Sequence, residues 1–316
     1  MRKVVLFIFL LTLGITFQRC GQNKGQGNNS DKLKIVATTG MIADLLENIG
    51  KDRVSVTGLM GPGVDPHLYK ASHADINALS NADIIFYTGL RLEGKMTGIL
   101  EKMSRQKSVI PLTEEIPKGK LLQPEGFAGN YDPHIWFDVA LWTLTIEIVV
   151  DHLSEIDPEG EAFYRQNGSS YRTTLDSLHT WVQNKISSIP EQQRVLVTAH
   201  RAFGYFGQAY DIDVVGLQGI STVAEFGVND VRRLVDLIIE RQVRAIFVES
   251  SVPERSINAV REACKSRGFE ISIGGTLYTG SMGGPGSGAD TYVTMVQHNV
   301  NTIVDALLPS ELISQN

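Results

Sequence analysis

Residues 194–219, RVLVTAHRAFGYFGQAYDIDVVGLQG, read as strand, helix, strand. Arg194 to Thr198 is a short apolar run that enters a helical stretch, and Asp213 to Gly219 is a second run of the same kind. Arg244 to Glu249 supplies a third. Strands separated by helices pair in parallel, because a parallel partner is reached only through a crossover connection. The N-terminal half has the same grammar. Lys34 to Gly40 is a strand running into a turn, Met41 to Ile49 has helical spacing, and Val54 to Met60 is a strand ending in Gly61-Pro62-Gly63. Ala74 to Ser80 is helical and Asp83 to Tyr87 is a third strand. The two halves also match in position, with Lys34 against Arg194 at an offset of 160 and Val56 against Val214 at an offset of 158. The expected fold class is α/β, with two pseudo-symmetric lobes built on parallel sheets.

Between the halves, Pro158 to Ile189 contains few helix breakers. Phe163, Tyr164, Tyr171, Leu175, Leu178, Val182 and Ile186 recur there at helical intervals, so the stretch predicts one long α-helix with Gly168 as its weak point. Such a helix bridges both lobes as a stiff spine and implies a small closure motion. The resulting division is an N-terminal lobe over 33–157, a bridging helix over 158–190 and a C-terminal lobe over 191–316. Ahead of them, Arg2-Lys3 and the apolar run Val4 to Phe17 form an export signal over 1–20, too short to span a bilayer comfortably. Cys20 stands where a bacterial lipoprotein carries its lipidated cysteine, although Phe17-Gln18-Arg19 is not the usual run before one. Residues 21–32, polar and rich in Gly and Asn, read as a flexible linker. If Cys20 carries lipid, Cys264, the only other cysteine, has no disulfide partner.

The 316 residues, 42% hydrophobic and 20% charged, are those of a globular protein. With a formal net charge of −6 and no basic stretch, nucleic-acid binding is set aside. Chemistry concentrates in three of the seven histidines. His67 closes Asp65-Pro66-His67 and His134 closes Asp132-Pro133-His134, while His200 ends the strand Val195 to Ala199. Proline fixes its own φ and holds its predecessor extended, so two imidazoles are presented from rigid turns. The third lies at the carboxyl end of a strand, where open α/β sheets bind ligands. Neutral imidazole suits zinc, manganese and similar metals. Asp290, after a Gly-rich loop, is either an N-cap or a fourth ligand, and Glu249 is the competing carboxylate. His73, His152, His179 and His298 read as histidines serving packing or solvation.

Five segments, Val64 to Tyr69, Asp132 to Asp138, Thr198 to Phe206, Gly216 to Thr222 and Phe247 to Ser251, together resemble the zinc/manganese family of ABC-importer substrate-binding proteins, the TroA-like group. The likeness runs from about residue 33 to 310. It implies two α/β lobes bridged by a long helix, with one metal between them held by His67, His134, His200 and Asp290. It also implies Zn2+ or Mn2+ as the transported substrate, an ABC-importer permease with its cytoplasmic ATPase as partner, and no enzymatic activity. The expected protein is an exported monomer in the periplasm or at the cell surface, held to the membrane only through Cys20. Three imidazoles and one carboxylate lean towards zinc. The stretch Thr113 to Gly129 lacks the histidines that many zinc importers of the family carry in a loop there. The main rival is a zinc hydrolase, since three histidines with an open position would fit one; no His-Glu-x-x-His motif or evident general base supports it. A second rival, surface adhesion, has no apolar or repeat-built patch behind it.

Overall fold

The computed structural model describes residues 32–308 except Gly126 and Ala128. The export signal with Cys20, nearly all of the linker, and residues 309–316 lie outside the described residues.

Two four-stranded parallel sheets form the frame. The first contains β1 (Leu33–Ala37), β2 (Val54–Gly58), β3 (Ile84–Tyr87) and β4 (Ser108–Pro111), in the order β2-β1-β3-β4. The second contains β5 (Val195–His200), β6 (Asp213–Gln218), β7 (Ala245–Glu249) and β8 (Ser272–Leu277), in the order β6-β5-β7-β8. Renaming β1–β4 as β5–β8 converts one order into the other, so the pseudo-symmetry is a symmetry of topology. Every residue of β5 and of β7 is buried, as expected for central strands covered on both faces. In each sheet the chain's direction of travel reverses between the two central strands. That switch point is where ligands settle in such sheets, and in the second sheet it lies between the carboxyl ends of β5 and β7.

The helices α1 (Gly40–Gly50), α2 (His73–Asn81), α3 (Thr97–Ser104), α4 (Val139–Thr143) and α5 (Thr145–Ile156) belong to the N-terminal half. After a 3-10 turn at Pro158–Gly160 comes α6 (Glu161–Ser187), followed by α7 (Gly204–Tyr210), α8 (Val228–Glu240), α9 (Arg255–Ser266) and α10 (Tyr292–Leu307). The 27 residues of α6 are the bridging helix, about 40 Å long at 1.5 Å per residue. Its buried stripe is Tyr164, Gly168, Tyr171, Leu175, Leu178, Val182 and Ile186. Two expectations change here. Phe163 lies outside the stripe and is exposed. Gly168 is no weak point but a contact: a Cβ there would stand 2.9 Å from Val150 Cγ2 and 3.1 Å from Ile146 Cγ2, so glycine lets α5 close onto α6.

Helix α6 packs against α1, α4 and α5 of the N-terminal half and against α7 and α10 of the C-terminal half. One apolar core therefore runs through both halves, from Ile35 and Phe86 past Trp142 and Leu175 to Leu196, Phe247 and Ile303. Burial favours pairing of its polar groups, and two tyrosine hydroxyls pair across elements, while the indole N–H groups of Trp136 and Trp142 have no partner among the protein atoms. Tyr171 of α6 donates to Asp44 of α1 at 2.9 Å, and Tyr292 of α10 donates to the carbonyl of Trp136 at 2.8 Å.

Candidate metal centre

Both Asp-Pro-His tripeptides fold alike. The carboxylate of Asp65 accepts the backbone N–H of His67 at 2.9 Å, and that of Asp132 accepts the N–H of His134 at 2.9 Å. An Asp that bonds the amide two residues on builds a turn from its own side chain, and the intervening proline stiffens it. Each turn is then fixed from the other half of the molecule. Thr222 donates to Asp65 at 2.6 Å, and Tyr205 of α7 donates to the carbonyl of Asp132 at 2.8 Å.

His200 is the last residue of β5, and its N–H donates to Glu249 Oε1 at 2.8 Å across the switch point. Gly216 of β6 runs beneath it; a Cβ there would meet the backbone of His200 and Arg201 within 2.5–2.7 Å. The neighbouring strand thus reaches His200 only because position 216 has no side chain.

These three elements bring His67, His134 and His200 together, 4%, 1% and 2% exposed. One nitrogen from each lies within 4.8 Å of the others, and no other group of three or more His, Cys, Asp or Glu among the described residues converges in this way. The Nε2 atoms of His67 and His134 are 3.2 Å apart. Two nitrogens at 2.0–2.1 Å from one tetrahedral zinc stand roughly 3.3–3.4 Å apart, so this pair is spaced as two ligands of a single ion.

The outward nitrogens are held by carboxylates. His134 Nδ1 is 2.7 Å from Asp132 Oδ1, and His200 Nδ1 is 2.5 Å from Glu249 Oε2. A carboxylate at one ring nitrogen fixes the tautomer, orients the ring and makes the opposite nitrogen a better metal donor. Burial drives the His67 imidazolium pKa down to about 2, reinforced by its neighbours His134 and His200, so His67 presents a neutral ring. Burial also presses on His200, but the adjacent Glu249 carboxylate outweighs it and the pKa goes up. Glu249 in turn is lowered: burial opposes this, and the His200 imidazolium overcomes it.

The fourth expected ligand is not brought to the cluster. Asp290 is exposed, and its Oδ2 accepts the N–H of Gly286 at 3.0 Å, closing the Gly-rich loop on itself. Nor is it the N-cap of α10: that is Thr291, whose side chain accepts from Thr294 N. The competing carboxylate, Glu249, serves His200 from behind. The remaining histidines stay outside the centre. His73 is exposed at the start of α2, which Ser72 caps. His152 meets Glu115 and Glu155, His179 meets Tyr210, and His298 meets the carbonyl of Thr276. The sequence reading missed Asp65, Asp132, Thr222 and Tyr205. Only the two aspartates carry a local signal, the repeated Asp two residues before a His.

The family model described as zinc-uptake complex component A, periplasmic, matches residues 35–306. The chain is 47% identical over 288 residues to the manganese-binding lipoprotein MntA of Bacillus subtilis, covering 91% of this chain and 94% of that one. It is 44% identical over 273 residues to the zinc-binding protein TroA of Treponema pallidum, covering 86% and 88%. The solved structure of the periplasmic zinc-binding protein TroA from that organism superposes with a TM-score of 0.85 at 44% identity, over 88% of this chain and all of that one.

Proposed function

The chain belongs to the zinc-uptake complex component A periplasmic family, and from that membership we propose that it captures one divalent zinc or manganese ion and delivers it to the permease of an ABC importer. The observation that carries this reading is the convergence of His67, His134 and His200, buried and drawn from both halves of the molecule. In this reading the ion is cargo. The three histidines hold it, Asp132 and Glu249 orient two of them, and two anions one shell out offset the charge that three neutral imidazoles leave uncompensated. Because His67 and His134 come from one half and His200 from the other, the ion cross-links the halves. An all-imidazole donor set favours zinc over manganese, following the order in which first-row metals bind nitrogen ligands. The two relatives named for different metals are nearly equally similar to this chain, so overall likeness does not choose between them.

The chain acts as a substrate-binding component and not as an enzyme, in keeping with its family. The protein is exported, works as a monomer, and is anchored by lipid on Cys20, with the permease and its cytoplasmic ATPase as partners. Co-expression with a permease and ATPase of this importer class, in cells lacking their own zinc and manganese uptake, tests the assignment. Uptake of labelled metal is expected with the wild-type chain and not with His134→Ala. Metabolic labelling with palmitate tests the anchor: Cys20→Ala is expected to abolish incorporation, and unchanged labelling would refute that part.

A further inference from the structure

We propose that the ion in this site keeps one open coordination position, filled by a solvent-borne oxygen or small-anion donor, because the protein supplies three imidazoles and no carboxylate ligand. This rests on the proposed reading of the three histidines as the cargo site. Each nearby carboxylate engages a histidine from behind, with Asp132 Oδ2 the one aspartate oxygen among them that is buried without a hydrogen-bond partner. Asp65 spends its two oxygens on His67 N–H and Thr222 Oγ1. Glu249 faces His200 N–H and Nδ1. Asp132 turns Oδ1 to both His134 N–H and Nδ1. Since His134 meets His67 through Nε2, a carboxylate at Nδ1 lies on the far edge of the ring from the ion. Asp290, exposed and bound to Gly286, is elsewhere. Zinc takes four ligands, and three protein donors leave the fourth to water or a small anion. The consequence is a defined route for exchange. A ligand carried by the receiving permease can enter at the solvent-filled position before any histidine lets go, so release does not begin with breaking a protein–metal bond.

The test uses the cobalt(II) and manganese(II) forms of the whole protein. The metal-free protein is first titrated with zinc, cobalt and manganese; failure to bind any of them would remove the cargo reading itself. With binding established, the manganese form is prepared in water enriched in 17O and its magnetic resonance spectrum recorded. A directly coordinated 17O is expected, and its absence would overturn the open position while leaving the cargo site intact. The cobalt form, loaded with azide present so that anion and metal enter together, is expected to show a shifted visible spectrum and an azide-to-cobalt charge-transfer band. An identical spectrum with and without azide, joined to the absence of 17O coupling, means a fourth ligand comes from the protein. Asp290→Asn is expected to leave both signatures unchanged; a new exchangeable position appearing only in that variant would identify Asp290 as the ligand and end the proposal.

Discussion

At the scale of single residues, the site is a set of rings held from behind. Asp132 and Glu249 each hold one histidine by its backbone amide and its Nδ1. Removing such an outer partner typically costs 10–100-fold in metal affinity. Asp132→Asn and Glu249→Gln are therefore each expected to weaken zinc binding by about that factor, read by competition with a chromophoric chelator, while Asp290→Ala leaves it unchanged. Equal affinity in all three variants would mean that the carboxylates do not orient the rings. The three converging histidines were legible in the sequence because each sits in a rigid local context, two in Asp-Pro-His turns and one at a strand end. Glu249 was visible only as a rival ligand, since its pairing with His200 depends on β5 and β7 lying side by side. Asp290 was misplaced for the same reason in reverse: a carboxylate before a helix gives no sign of whether the loop turns it inward.

At the scale of elements, hydrophobic runs revealed three strands in each half and the bridging helix, but not β4 or β8. Both are sheet-edge strands with weak signals. β4 has four residues and ends in Pro111; β8 is SIGGTL, interrupted by Gly274 and Gly275. Glycine at 274 answers a tertiary demand, because a Cβ there would stand 2.6 Å from Phe247 Cε1 and 2.7 Å from Ala306 Cβ. Local propensity cannot anticipate a neighbour that arrives thirty residues later. Gly168 is the same case within α6, and it gives an element-scale prediction. Gly168→Val should force α5 away from α6 despite its gain in intrinsic helix propensity, destabilising the protein by about 1–3 kcal/mol, the usual cost of overpacking. Urea unfolding measures this, and a stabilised variant would show that the contact is not tight.

At the scale of the whole molecule, folding, protonation and metal capture share one centre. The metal-free protein keeps His67 near pKa 2, whereas an unfolded histidine titrates near 6.5. Between those values the unfolded chain binds the extra proton, so acidification favours unfolding. Stability should fall as pH drops below about 6.5, by up to about 1.4 kcal/mol per pH unit from this group. His200 acts in the opposite sense: its raised pKa contributes stability at low pH that is lost as pH rises through its folded value, so it adds no slope below 6.5. His67→Gln should flatten the urea-unfolding profile between about pH 6.5 and 4.5; an unchanged slope would place the acid sensitivity elsewhere. A metal ion that binds only the folded state adds stability by mass action. Because one helix and one apolar core span both halves, little separation of the lobes is expected on loss of the ion.

In the proposed function His67, His134 and His200 together hold one transported ion. Calorimetric titration of zinc into the metal-free protein, wild type beside His134→Ala, tests it most directly. The expected result is one ion per wild-type chain and a binding isotherm that collapses in the variant. Undiminished zinc affinity in His134→Ala would mean that the ion is held elsewhere than in the three-histidine cluster.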